Sequence, residues 1–128
     1  GQDAIGATSR IVTPDVVVVG DGAAGVGTVE VPIRAGAGLV DACAVRAPNV
    51  VKVDVEGHEL DCLRGLEPRS SRALGLSSIR ALGIEVHFGI LASRGRSGDP
   101  QKITDMLSEH GYLVAWSDAS HIVAHRAE

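Results

Sequence analysis

The chain has 128 residues, a formal net charge of −4 and 45% apolar residues, enough for one domain with a single core and too apolar for a disordered segment. The acidic balance and an aromatic content of only 2% argue against a nucleic-acid partner, which wants a basic surface or stacking platforms. No apolar run approaches the roughly 20 residues of a membrane span and no secretion signal is recognisable, so the expected location is cytoplasmic, with Cys43 and Cys62 as buried small hydrophobes.

Residues 1–14 are rich in Gly, Ala and Ser and have no strong period, although Ile11-Val12 can start a strand before Pro14. Asp15-Val-Val-Val-Val-Gly-Asp-Gly-Ala-Ala-Gly25 is an apolar strand followed by Gly20, Gly22 and Gly25 in the spacing of a dinucleotide-binding loop. Such a loop needs a helix after it, whose N-terminus stabilises a pyrophosphate. Here Gly27 and Pro32 would fall inside that helix, at costs of about 1 and 3 kcal/mol. Thr28 to Ile33 alternates apolar and polar residues, as a strand does. Residues 15–33 are therefore expected to be two strands joined by a glycine-rich loop. The alternative is a dinucleotide-binding oxidoreductase fragment using Gly20, Gly22 and Gly25. Leu39 to Val45 reads as a short helix or turn, ended before Pro48.

Val50-Val-Lys-Val-Asp-Val-Glu-Gly-His-Glu-Leu-Asp-Cys-Leu-Arg-Gly65 organises the rest of the chain. Its β-branched run suits a buried strand over 50–55. Glu56 and Gly57 end the run, and Leu60, Leu63 and Leu66 then recur at helical spacing, with Gly65 as C-cap. His58 and Glu59 are expected on the helix surface. Residues 67–72 are polar with a breaker, and Ile79 to Phe88 reads as the next buried strand. Arg94 to Pro100 is a basic loop, a solvated connector or a mobile lid. Asp99 is placed to cap the helix that follows, with Pro100 in its first turn and Ile103, Met106 and Leu107 as its buried stripe up to Gly111. Tyr112–Trp116 and His121–His125, joined by four residues, form an antiparallel hairpin.

The block Val51-Lys-Val-Asp-Val-Glu-Gly-His-Glu-Leu60 with Leu63-Arg-Gly65 resembles the signature of the FkbM-type methyltransferases. Ile84-Glu-Val-His87 before a helix, and Gly111-Tyr112 followed by Asp118 to Ala124, agree in type and order. The likeness covers roughly residues 45 to 126. It implies an α/β, three-layer Rossmann-like methyltransferase sheet, mostly parallel with a C-terminal antiparallel hairpin, whose N-terminal half is missing. On this reading 1–128 is a single domain, with 1–45 a variable strand and loop segment and 46–126 the C-terminal half. The implied cofactor is S-adenosylmethionine, although the binding half for it is absent. The implied reaction is O-methyl transfer to a small molecule or sugar hydroxyl. A non-catalytic truncated module, pairing with itself as a homodimer or with a missing half, is the remaining alternative.

Within this frame Asp54, Glu56, Glu85 and His87 are the candidate catalytic residues. Parallel neighbouring strands would bring their tips to one rim, where open α/β sheets bind ligands. Such a group can take a proton from an acceptor hydroxyl, hold it by hydrogen bonds, or seat a cation that positions it. No zinc or other metal spacing is present, and no metal ligand is assigned. His121 and His125 would share a face of a strand about 13 Å apart, too far for one metal.

Overall fold

The computed structural model describes residues 8–13, 16–20, 27–67 and 78–126, with side chains from residue 27 onward. They belong to two compact units, residues 1–34 and 35–128. In the first, β1 (Thr8–Thr13), β2 (Val16–Gly20) and β3 (Val29–Pro32) form an antiparallel sheet in that order. Val17 and Val19 stand opposite Val31 and Val29 in its register. The two strands expected over 15–33 are present. A strand at 29–32 stands where the phosphate-binding helix would have to run, and this overturns the oxidoreductase alternative. Gly22 and Gly25 lie outside the described residues.

The second unit contains α1 (Gly36–Asp41), β4 (Val50–Val53), α2 (Glu59–Arg64), β5 (Ala81–Glu85), α3 (Phe88–Ser93), α4 (Asp99–Glu109), β6 (Tyr112–Trp116) and β7 (His121–Arg126). Its sheet has the order β4-β5-β7-β6. As expected, β4 and β5 are parallel neighbours, with Val53 opposite Ile84. The hairpin is also present, but β7 inserts between β5 and β6 and is antiparallel to both. Two of the three pairings are thus antiparallel, and the expectation of a mostly parallel sheet fails among the described residues. Because β7 is antiparallel to both neighbours, β6 runs the same way as β5, and its last residue, Trp116, comes to the rim where β5 ends.

The core lies on one face of this sheet. Leu60 and Leu63 of α2, Leu91 of α3, and Ile103 and Leu107 of α4 close over Val53, Leu82, Ile84, Ile122 and Ala124, all nearly inaccessible. At about 25 cal/mol per Å² of apolar surface, each such side chain contributes roughly 1.5–3 kcal/mol. On the other face Val50, Leu113 and Val123 are exposed. The described residues therefore build two layers where three were expected. The end of the sheet opposite the β5 carboxyl tip is pinned by Tyr112, whose hydroxyl donates to the Ile79 carbonyl at 2.6 Å. Arg126 stacks over that ring, 4.5 Å from its centre, and burial pushes the Tyr112 hydroxyl above its ordinary pKa.

Several local expectations need correction. Asp99 does not cap α4: Gly98 is the N-cap, and the buried Asp99 carboxylate ion-pairs with Arg96 Nε at 2.8 Å. The strand read over 79–88 stops at Glu85, and Phe88 opens α3. Cys43 is exposed rather than buried, while Cys62 is half-buried.

Candidate functional site

β4 leaves the sheet after Val53 and β5 after Glu85, side by side and pointing the same way. Their tips deliver Asp54, Glu85 and His87, each of which offers one oxygen or nitrogen atom within 4.8 Å of the others. His87 Nε2 is 3.3 Å from Asp54 Oδ1. The fourth predicted residue, Glu56, is not part of this group. It sits in the left-handed region at φ 48°, exposed to solvent, and its carbonyl accepts from Arg94 Nη1 at 3.3 Å. Gly57 follows at φ 94°, where a Cβ would stand 2.8 Å from both Ile90 Cγ2 and Arg94 Nη1. Glu56 and Gly57 are the backbone of the turn, and Gly57 is required there both by conformation and by space.

Glu59, read from the sequence as surface, is fully buried. Its Oε1 accepts the Gly57 N–H at 2.9 Å and the His87 Nδ1–H at 2.6 Å. One buried carboxylate thus fixes the turn and the imidazole together. With Nδ1 committed to Glu59, the ring presents Nε2 to the exposed Asp54 and the part-buried Glu85. A signal for this was present in the sequence: Glu59 and Leu63 are four residues apart, so they share a helix face, and Leu63 was expected to be buried.

Neighbouring groups complete the rim. Asp118 Oδ1 accepts the backbone N–H of Ser120 and lies 2.8 Å from His121 Nδ1. The Ser120 N–H, then the His121 ring, hold the Asp118 carboxyl below its usual range. His121 Nε2 is 4.0 Å from Glu85 Oε1. On the helical side, Phe88 and Trp116 stack with ring centres 5.8 Å apart and planes inclined by 28°. The basic loop expected as a connector or lid is clamped to α2. Arg96 donates to both Asp61 oxygens, at 2.6 and 3.0 Å, and this pair lowers the Asp61 pKa and raises that of Arg96.

Two carboxylates and an imidazole can act as proton acceptor or as ligands of a divalent cation. The half-exposed carboxylates have the charge to complement a cation such as the sulfonium of S-adenosylmethionine. The described residues show no glycine-rich strand-to-helix turn for its nucleoside.

An α/β unit with its titratable groups at the carboxyl tips of parallel strands has them where open α/β sheets bind ligands. The model of the methyltransferase FkbM domain matches residues 4–114. The chain belongs to the FkbM methyltransferase family. A curated relative, the hexuronic acid methyltransferase AglP of Haloferax volcanii, is 37% identical over 83 residues, which are 65% of this chain and 29% of that protein. The chain thus spans under a third of the length of the relative it matches. No solved structure matches significantly. Among the described residues no helix is long and apolar enough to cross a membrane.

Proposed function

We propose that this chain supplies the acceptor side of an S-adenosylmethionine-dependent O-methyltransferase, acting on a hydroxyl of a small molecule, with sugars the leading class. The family and the sugar-acid methyltransferase relative support methyl transfer. The observation that carries the mechanism is the chain Glu59–His87–Asp54, which joins the start of α2 to the tips of β5 and β4.

His87 Nε2 takes the acceptor hydroxyl proton while the oxygen forms its bond to the methyl carbon. S-adenosylmethionine, when bound, would supply the activated methyl group and keep the departing electron pair on its sulfur. Glu59 stabilises the imidazolium that results, by the charge-assisted bond at Nδ1, and the proton then leaves to solvent. Asp54 and Glu85 hold the acceptor hydroxyls and favour a positive charge at the rim. Alignment of the reactants accounts for most of the rate, of order 7–11 kcal/mol. The base adds about 10²- to 10⁴-fold.

A thermal-shift titration tests the cofactor assignment. S-adenosylhomocysteine should raise the melting temperature of the protein carrying this chain, and NAD should not. A rise with NAD alone refutes the reading, and no rise with either ligand favours the non-catalytic module.

A further inference from the structure

The chain has one Trp, one Phe and one Tyr. Tyr112 is buried at the far end of the sheet. The other two stand together at the site rim, stacked on each other, yet Phe88 is 46% and Trp116 43% exposed. Large rings normally contribute by being buried, so an exposed pair leaves apolar surface uncovered. The position of this pair is specific. Phe88 directly follows His87, and Trp116 pairs with Ile122, next to the His121 that lies 4.0 Å from Glu85. Because Phe88 directly follows His87, the exposed rings adjoin the rim on its helical side, and Asp54 and Glu85 at that rim offer carboxylate oxygens as hydrogen-bond acceptors.

We infer that Phe88 and Trp116 form a platform for the ring of an uncharged pyranose, whose hydroxyls donate to Glu85 and Asp54. This rests on the reading of the rim as a methyl-acceptor site, and it adds the class of acceptor and the residues that select it. A pyranose has a C–H-rich face for the rings and an edge of hydroxyls, each able to donate to a carboxylate. A nucleobase edge mixes donors with acceptors, and each of its acceptors would meet oxygen lone pairs. A hexuronate would bring a third carboxylate against Asp54 and Glu85 at close range, where like charges repel. The acceptor of this chain thus differs in charge from the hexuronic acid in the name of its relative.

Trp116 is the sole tryptophan of this chain, so the chain's emission excited at 295 nm reports on the platform. The probes are methyl glucopyranoside, methyl galactopyranoside, methyl mannopyranoside, methyl glucuronoside, sorbitol and S-adenosylhomocysteine. A saturable blue shift or quench with at least one neutral pyranoside, absent with sorbitol and at least tenfold weaker with the uronoside, is the expected result. Phe88→Ala keeps the reporter and should weaken that binding roughly 2- to 10-fold, the equivalent of one ring contact. No response to any pyranoside overturns the inference. So does a response to S-adenosylhomocysteine alone, which gives the rings to the nucleoside. A shift that follows protein concentration without sugar also overturns it, by making the pair a self-association surface. A sugar response without methyl transfer would leave the platform standing and remove only the proposed activity.

Discussion

Replacing Glu59 separates its two tasks, because Gln keeps the shape and the acceptor oxygen while Ala removes both. In Glu59→Ala the buried Gly57 N–H loses its partner at 2.9 Å and His87 Nδ1 its partner at 2.6 Å. Hydrogen bonds to a charged group contribute about 1.5–3 kcal/mol each, and an orphaned buried donor costs a further 1–3 kcal/mol. Relief from burying the carboxylate offsets part of this. The net loss should be about 2–4 kcal/mol. At about 4–8 °C per kcal/mol for a domain of this size, melting should fall by roughly 8–32 °C. Glu59→Gln accepts from both donors without the charge, so its stability should fall by only about 1 kcal/mol. Its imidazolium, however, loses a contribution of about 1.5–3 kcal/mol, which is roughly a 10- to 100-fold drop in kcat/KM. Calorimetry and the methyl-transfer rate of the two variants are the assays. Equal stability losses in both, or a Gln variant within twofold of full activity, would refute the assignment of one carboxylate to turn and base together.

Three further predictions concern the elements around the site. Gly57→Ala forces a side chain into φ 94° against Ile90 and Arg94 and should destabilise by about 1–3 kcal/mol, read from chemical denaturation; a loss under about 0.5 kcal/mol would contradict the turn geometry. Asp61→Asn breaks the fork with Arg96. Because the folded state lowers the Asp61 pKa, the pair stabilises above the unfolded value of about 3.9 and is lost as pH falls through the folded one. With Asp61 40% exposed, solvent screening keeps the effect to about 1 kcal/mol at pH 7, shrinking towards zero in acid. A pH-independent difference would show that the charge is not responsible. Burial, reinforced by Asp61 and Glu59, raises the Cys62 pKa, whereas Cys43 is exposed. Iodoacetamide at pH 7.5 should therefore label Cys43 first by peptide mass spectrometry, and faster modification of Cys62 would contradict the burial.

The elements legible in the sequence are those with strong local signals. The valines of β4, the leucine spacing of α2 and the glycine after α4 each specify their own neighbourhood, and the parallel pairing of β4 with β5 follows from one crossover. What was not legible depends on partners distant in the chain. Glu59 carries a charge that suggests solvent, and only the imidazole of His87, 28 residues on, makes its burial tolerable. Glu56 looked equivalent to Asp54 because a strand would put them on one face, but the chain has left the strand by then and turns through a left-handed residue. Phe88 continued an apolar run and read as strand, yet it starts a helix and stacks on Trp116 on the helical side of the sheet. That meeting requires β7 to lie between β5 and β6, an order that hairpin spacing alone does not specify.

The most direct test is transfer of a tritiated methyl group from S-adenosylmethionine to a neutral methyl pyranoside, comparing the native protein with His87→Gln. A fall of about 100-fold or more in kcat/KM, with the affinity for S-adenosylhomocysteine unchanged, is the predicted result. A His87→Gln enzyme that transfers label at a comparable rate would contradict the assignment of proton removal to the tips of β4 and β5.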